Sequence, residues 1–399
     1  MRLKVRPEDF RVREELDFAR VPDGRFYVHL VRKEKLSTHE ALARIAKIAG
    51  VPRADLAFAG LKDRQGRTEQ WITIRGRRVD YRDRSLQVMF RGRTDKPINS
   101  RMSAGNHFEI VVRSLDRAAI ALLRARAAAV SLEGLPNYFD DQRFGCLQHG
   151  QGFAMRDVLA GRYEEALKRL IATPSPKALG GDVKLKQLLA RRWGDWETCA
   201  AIARGPLYRP SLSRLVAEPE DFRGAIERLP TRMKLIAAFS YQSWLWNRAV
   251  DRMLHRMLSP GRRIVLPTLV GQLAAWDEPA PGALRRLEQL RTPLFGPTPP
   301  DAADPAFRES AQTILVRDGV RGGVGAPLPG MDLREEHRDL VVRPRGLEIS
   351  DAERDELDRS RSKVVLSFGL PRGSYATLVV KRLTVAERPR RAPARSQAR

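Results

Sequence analysis

The sequence predicts an α+β fold in its first 150 residues, an antiparallel or mixed sheet with helices on one face. Three observations predict it. Short runs of alternating apolar and charged residues are interrupted by single helical segments. The texture turns mostly helical over 151–337, and strand-like runs return after Arg338. With 399 residues the chain exceeds one ordinary core. The expected division is 1–150, 151–337, 338–386 and a basic tail over 387–399.

Asp9–Leu16 alternates apolar and charged positions, as a half-buried strand does, and Pro22-Asp23-Gly24 turns the chain into a second strand over 25–33. Ser37 or Thr38 then caps a helix running to about Ala49, with Leu42, Ile45, Ala46 and Ala49 on one face and Gly50 ending it. Strands are expected at 56–59, 71–74, 86–91 and 107–113. An Ala-rich helix is expected from about Ser114 to Leu132, stopped by Gly134-Leu135-Pro136. The middle reads as helices at 153–160, 163–172 and 184–190, then one long amphipathic helix from Arg232 to Leu258. The Pro- and Gly-rich stretch 279–305 reads as loop, as does Gly322-Gly323-Val324-Gly325, which lacks the spacing of a phosphate cradle. Toward the end, 350–357 reads as a short capped helix and 363–368 and 373–382 as strands.

Charge is the extreme feature of the composition. Lys and Arg number 73 against 48 Asp and Glu, a formal +25 with a pI near 10.9. A surplus this large points to a polyanionic partner or a membrane surface, and its Arg bias, which suits phosphate contacts and base stacking, favours nucleic acid. No signal peptide is visible, and no window approaches the ~20 apolar residues of a membrane helix. Cys146 and Cys199 stand alone, so neither a disulfide framework nor a zinc site is indicated. These features predict a cytosolic protein, and with no coiled-coil pattern a monomer is the default expectation.

Few groups suit covalent chemistry. No His-Glu-x-x-His, Gly-x-Ser-x-Gly, Walker loop or Cys/His cluster occurs. The loop Gly60-Leu61-Lys62-Asp63-Arg64-Gln65-Gly66 stands out, because it places one carboxylate between two cations and between two strand-like runs. Adjacent cations favour the ionised acid, as a carboxylate nucleophile requires. A hairpin turn with a solvated aspartate fits the same pattern. A second stretch, Asn137-Tyr138-Phe139-Asp140-Asp141-Gln142-Arg143-Phe144-Gly145, gathers aromatics, an amide and an arginine just past a helix end. Phe139 there is either a stacking platform for an unstacked base or simply core.

These runs resemble the TruD family of pseudouridine synthases. Gly60, Lys62, Asp63, Arg64, Thr68 and Gln70 match the family's catalytic-aspartate motif. Asn137, Phe139, Gln142, Arg143 and Gly145 match its second signature, with Asp140 where glycine is usual. Leu370-Pro371-Arg372-Gly373-Ser374-Tyr375-Ala376-Thr377 resembles its C-terminal signature, and Arg6-Pro7-Glu8-Asp9-Phe10 its N-terminal one, with Glu14 or Glu15 as polar support. The resemblance implies a pseudouridine synthase catalytic domain interrupted by an inserted TRUD domain, since the last strands would rejoin the first sheet. It implies isomerisation of a tRNA uridine, uridine 13 in bacterial members, with Asp63 as catalytic carboxylate and no metal or redox cofactor. Phe139 would stack on the target base with Asn137 hydrogen-bonding near the site, Lys62 and Arg64 would contact phosphate or orient Asp63, and Gln70 and Arg143 would line the substrate site. An RNA-binding protein without turnover is the alternative from another class.

Overall fold

A computed structural model describes residues 1–385 apart from 63, 65, 146–151, 175–180, 321, 326 and 334. Asp63, Cys146 and the tail 387–399 therefore lie outside the described residues. The chain forms two compact units, one of Met1–Leu135 with Val342–Thr384 and one built on Pro136–Val341.

The first unit holds a ten-stranded sheet. Its strands are β1 (Phe10–Leu16), β2 (Phe26–Glu34), β3 (Leu56–Phe58), β4 (Arg67–Arg75), β5 (Tyr81–Arg82), β6 (Leu86–Thr94), β7 (Ser103–Leu115), β8 (Arg345–Ile349), β9 (Glu353–Asp355) and β10 (Asp358–Leu370). The order is β8-β10-β7-β1-β4-β2-β6-β5, with β9 on β10 and β3 on β4. β1 and β4 run parallel and the other ladders are antiparallel, so the sheet is mixed.

Register sorts the side chains between two faces, because paired residues share a face. Val12 pairs with Thr68 and Phe108, and Val31 with Gln70 and Val88. That face is apolar, and helix α1 (Thr38–Ala49) buries Ala41, Leu42 and Ile45 against Val31, Ile72, Ile74, Leu86 and Val88. The helix starts where its chemistry says it should. Ser37 accepts from the Glu40 N–H while the Glu40 carboxylate accepts from the Ser37 N–H, and Gly50 closes the far end at φ +66. Helix α2 (Arg117–Glu133) is capped by Asp116 and packs with helix α3 (Ala376–Thr384). On the other face Val28 and Trp71 pack with Ala59 and Ile98 at one end, while Arg11, Arg13, Arg32 and Arg67 occupy the other.

Two elements correct the sequence expectation. The predicted helix over 350–357 is instead the β9 hairpin arm, because the Asp355 carboxylate binds Arg113 and the Ser114 N–H. The strand expected over 373–382 is α3. Its β-branched residues suggested a strand, but Leu378, Val379 and Leu383 are buried beside α2.

The second unit is mostly helical, and its spine is the 27-residue helix Thr231–Met257, which buries Tyr241, Leu245, Trp246, Ala249 and Met253. Within the stretch expected to be loop, Pro281–Glu288 forms a helix opened by proline at its first position.

Candidate active site

The loop between β3 and β4 is pinned at the residue before Asp63. Lys62 is held at three points. Its ammonium lies 2.5 Å from Glu14 Oε1, with 7% and 1% of the two side chains exposed. Its N–H donates to Thr38 Oγ1 at 2.9 Å, and its carbonyl accepts from the Lys33 ammonium at 3.4 Å. Thr38 Oγ1 in turn donates to Gln70 Oε1 at 3.0 Å. Gln70 thus reaches the loop through the first turn of α1.

Glu14 can do this because β1 and β4 part just there. Their parallel ladder ends at Arg13 and Glu69, two residues short of Trp71. Glu14 Oε2 accepts the Trp71 N–H at 2.9 Å, and the Trp71 indole N–H donates to the Glu14 carbonyl at 3.2 Å. A buried carboxylate needs such partners, and Glu14 has a cation and an amide. At the loop's other end, a Cβ on residue 66 would lie 2.5 Å from the Phe10 carbonyl oxygen. Gly66 is therefore required for space; φ is not positive at Gly60. Arg64 points outward, 66% exposed, with Glu40 at 3.5 Å.

In the second unit, Asn137 and Phe139 gather around Arg338, and Arg143 lies over the same Phe139 ring. The Arg338 guanidinium donates to the Asn137 carbonyl at 2.6 Å and to its Oδ1 at 2.8 Å, while Asn137 Nδ2 donates to the Asp339 carbonyl. Asn247 clasps the Phe139 main chain, accepting its N–H at 2.9 Å and donating to its carbonyl at 2.8 Å. The Phe139 ring is 4% exposed, edge-on to Trp246, with Arg338 4.1 Å and Arg143 5.2 Å from its centroid. Asp140, where glycine was expected, has φ −101 and ψ 177, extended backbone open to any residue.

Sequence reasoning passed over Thr38 as a loop anchor, and Lys33, Arg338 and Asn247 altogether. For Lys33 a signal existed, since it occupies a helix-facing position of β2 in line with Val31, where a charge requires a partner. Arg338 and Asn247 lie far along the chain from Asn137 and Phe139 and left no local mark.

The family model for tRNA pseudouridine synthase D (TruD) matches residues 1–383. The chain belongs to the TruD family. A tRNA pseudouridine synthase D from Aquifex aeolicus is 29% identical over 96% of this chain and 98% of its own length. Another from Leptospira interrogans is 26% identical over 97% and 96%. A TruD crystal structure from Methanosarcina mazei superposes with a TM-score of 0.69 at 24% identity, covering 96% of this chain and 93% of that one, which shows the fold. TruD members are pseudouridine synthases, isomerases that act on tRNA. Among the described residues, no helix of this TruD chain is long and apolar enough to cross a membrane.

Proposed function

We propose that this chain converts one uridine of tRNA, uridine 13 by its likeness to bacterial members, to pseudouridine with Asp63 as the catalytic carboxylate. In that reaction the N1–C1′ bond breaks, the uracil turns, a C5–C1′ bond forms, C5 gives up its proton and N1 takes one up, so the product is an isomer of the substrate. Nothing is oxidised or reduced, so the isomerisation needs no redox cofactor. Asp63 serves by adding to the base, by attacking the sugar, or as base toward a glycal; all three need it ionised.

The observation that carries the proposal is the three-point hold on Lys62 within a family match that spans residues 1–383. Catalysis by a single carboxylate depends on its placement, and a displacement of ~1 Å lowers rates by about 10²-fold. Here the preceding residue is tied to β1, β2 and the first turn of α1, whose N–H groups carry partial positive charge. Arg64, exposed and 3.5 Å from Glu40, would exchange that carboxylate for a phosphate. Unstacking the target uridine costs a few kcal/mol. Stacking on Phe139 offsets part of that once a guanidinium gives way to the base, and Asn137 then lies beside it. The proposal places the enzyme in the cytoplasm with tRNA.

The test is pseudouridine formation in tRNA transcripts, with wild type against Asp63→Asn at matched tRNA affinity. Turnover by wild type alone supports the assignment; equal turnover removes it.

A further inference from the structure

We propose that the Arg-rich end of the first unit's second sheet face, opposite the side that holds Lys62, is a second docking surface for the sugar-phosphate backbone of the bound tRNA. The proposal rests on tRNA being the substrate.

A concavity of about 530 Å³ lies on this face. The ladder register builds it. Arg11 pairs with Arg67 and with Glu109, Arg13 with Glu69 and His107, and Arg32 with Glu69 and Gln87, so these side chains all project from the same face. Their neighbours in sequence, Val12, Thr68 and Val31, point the other way into the core. A sheet face this polar cannot be covered by another apolar layer. It is built to face water or a charged partner.

The charges then decide which partner. The lining carries seven Lys or Arg against four Asp or Glu. Three cations are answered across strands: Arg32 by Glu69 at 2.7 Å, Arg67 by Glu34 at 2.7 Å and Arg11 by Glu109 at 3.4 Å. Lys33 turns into the unit, toward the Leu36 carbonyl at 2.8 Å. The Asp83 carboxylate is taken by Arg44, by the Tyr81 hydroxyl and by the Ser85 N–H. What remains is Arg13, Arg82 and Arg84, all exposed and without a carboxylate partner among the described residues. Arg82 and Arg84 stand at the β5 side and Arg13 four strand positions away on β1, roughly 19 Å at ~4.8 Å per strand, so the guanidiniums, which bind phosphate bidentately, fit phosphates several nucleotides apart along a strand laid across the sheet. An acidic peptide would meet the same cations, but the proposed substrate already brings a polyanion to this protein. A surface on this side of the sheet would hold tRNA away from the target base, adding affinity without touching the chemistry.

The test compares the full chain with an R13Q/R82Q/R84Q variant and with an R192Q/R209Q/R317Q control, which removes the same charge from exposed positions of the second unit. Full-length tRNA binding is read as a function of salt, alongside kcat and KM and binding of heparin. Each phosphate that a variant no longer neutralises lowers the slope of log K against log salt by about 0.7–0.9. The expected result is a slope lower by about 2, KM for tRNA raised roughly 10-fold and kcat within about twofold, with the control unchanged. An unchanged slope and KM overturns the proposal. So does an equal loss in the control, because net charge alone then accounts for it. So does a loss seen with heparin and not with tRNA. A charge-reversed R13E/R84E variant, checked for an unaltered melting temperature, must deepen the defect. Failure of the wild type to make pseudouridine is a separate result, which sinks the catalytic proposal and leaves the binding comparison legible.

Discussion

Lys62 and Glu14, 48 residues apart, form a buried ion pair at 2.5 Å, and the candidate catalytic aspartate is the next residue along the chain. Removing one partner of such a pair leaves an uncompensated charge and destabilises by about 3–5 kcal/mol. Glu14→Ala is therefore expected to lower stability in urea melts by about 3 kcal/mol. It should also lower single-turnover pseudouridine formation roughly 10²-fold, with tRNA affinity nearly unchanged. Glu14→Ala combined with Lys62→Met should regain stability but not rate. Full turnover in Glu14→Ala would show that the pair does not place the loop.

Arg113 is the second buried centre. Its Nε and Nη2 donate to Asp9 at 2.8–3.0 Å, Nη1 to Asp355 at 2.8 Å and Nη2 to Glu356 at 2.9 Å. These bonds tie the N-terminal turn to the returning hairpin, and Arg113, then Lys363, hold the Glu356 carboxyl well below the usual range. Arg113→Met strands Asp9 and Asp355 without a counter-charge, for an expected loss of about 3–5 kcal/mol in denaturant melts. Arg113→Lys should restore little, since an ammonium cannot reproduce the fork.

These two clusters mark where the sequence stops being legible. Alternation and caps place β1, β2, β4, α1 and the helix Thr231–Met257, because those signals are local. Period two even puts Glu14 on the face of Phe10 and Val12, a carboxylate at a core position. Its partner is set by tertiary structure, through the parting of β1 from β4. The same long-range effect converts 350–357 from an apparent capped helix into a hairpin arm, as the Ser350 hydroxyl accepts the Val365 N–H across the hairpin and Asp355 is taken by Arg113. In 373–382 local β propensity lost to packing against α2.

His29 supplies a pH prediction. It is fully buried; its Nε2 accepts the Val79 N–H at 3.0 Å and its Nδ1 donates to the Tyr27 carbonyl at 2.9 Å, which fixes the neutral ring. Burial lowers its pKa from 6.5 to about 4. Between those values the unfolded chain binds a proton that the folded chain refuses, so stability falls as pH drops from 6.5 toward 4 and is constant from this residue above 6.5. The loss should approach ~3 kcal/mol by pH 4. Melting temperatures across this range should converge for wild type and His29→Gln as the pH falls; parallel curves would count against it.

Phe139 separates packing from stacking. Phe139→Leu keeps most of the buried volume beside Trp246, with an expected stability change under about 1.5 kcal/mol. It loses the aromatic face, and base stacking of about 1–3 kcal/mol predicts a fall in kcat/KM of roughly 5- to 100-fold. Unchanged kinetics in a stable Phe139→Leu protein would assign the ring to the core alone.

The most direct measurement is pseudouridine mapping, by carbodiimide labelling and primer extension, on tRNA from cells lacking this protein after adding back wild type or Asp63→Ala. One new stop is expected, at the nucleotide immediately 3′ of uridine 13, with wild type only. Identical profiles from the two proteins, with tRNA binding intact, would contradict the catalytic assignment of Asp63.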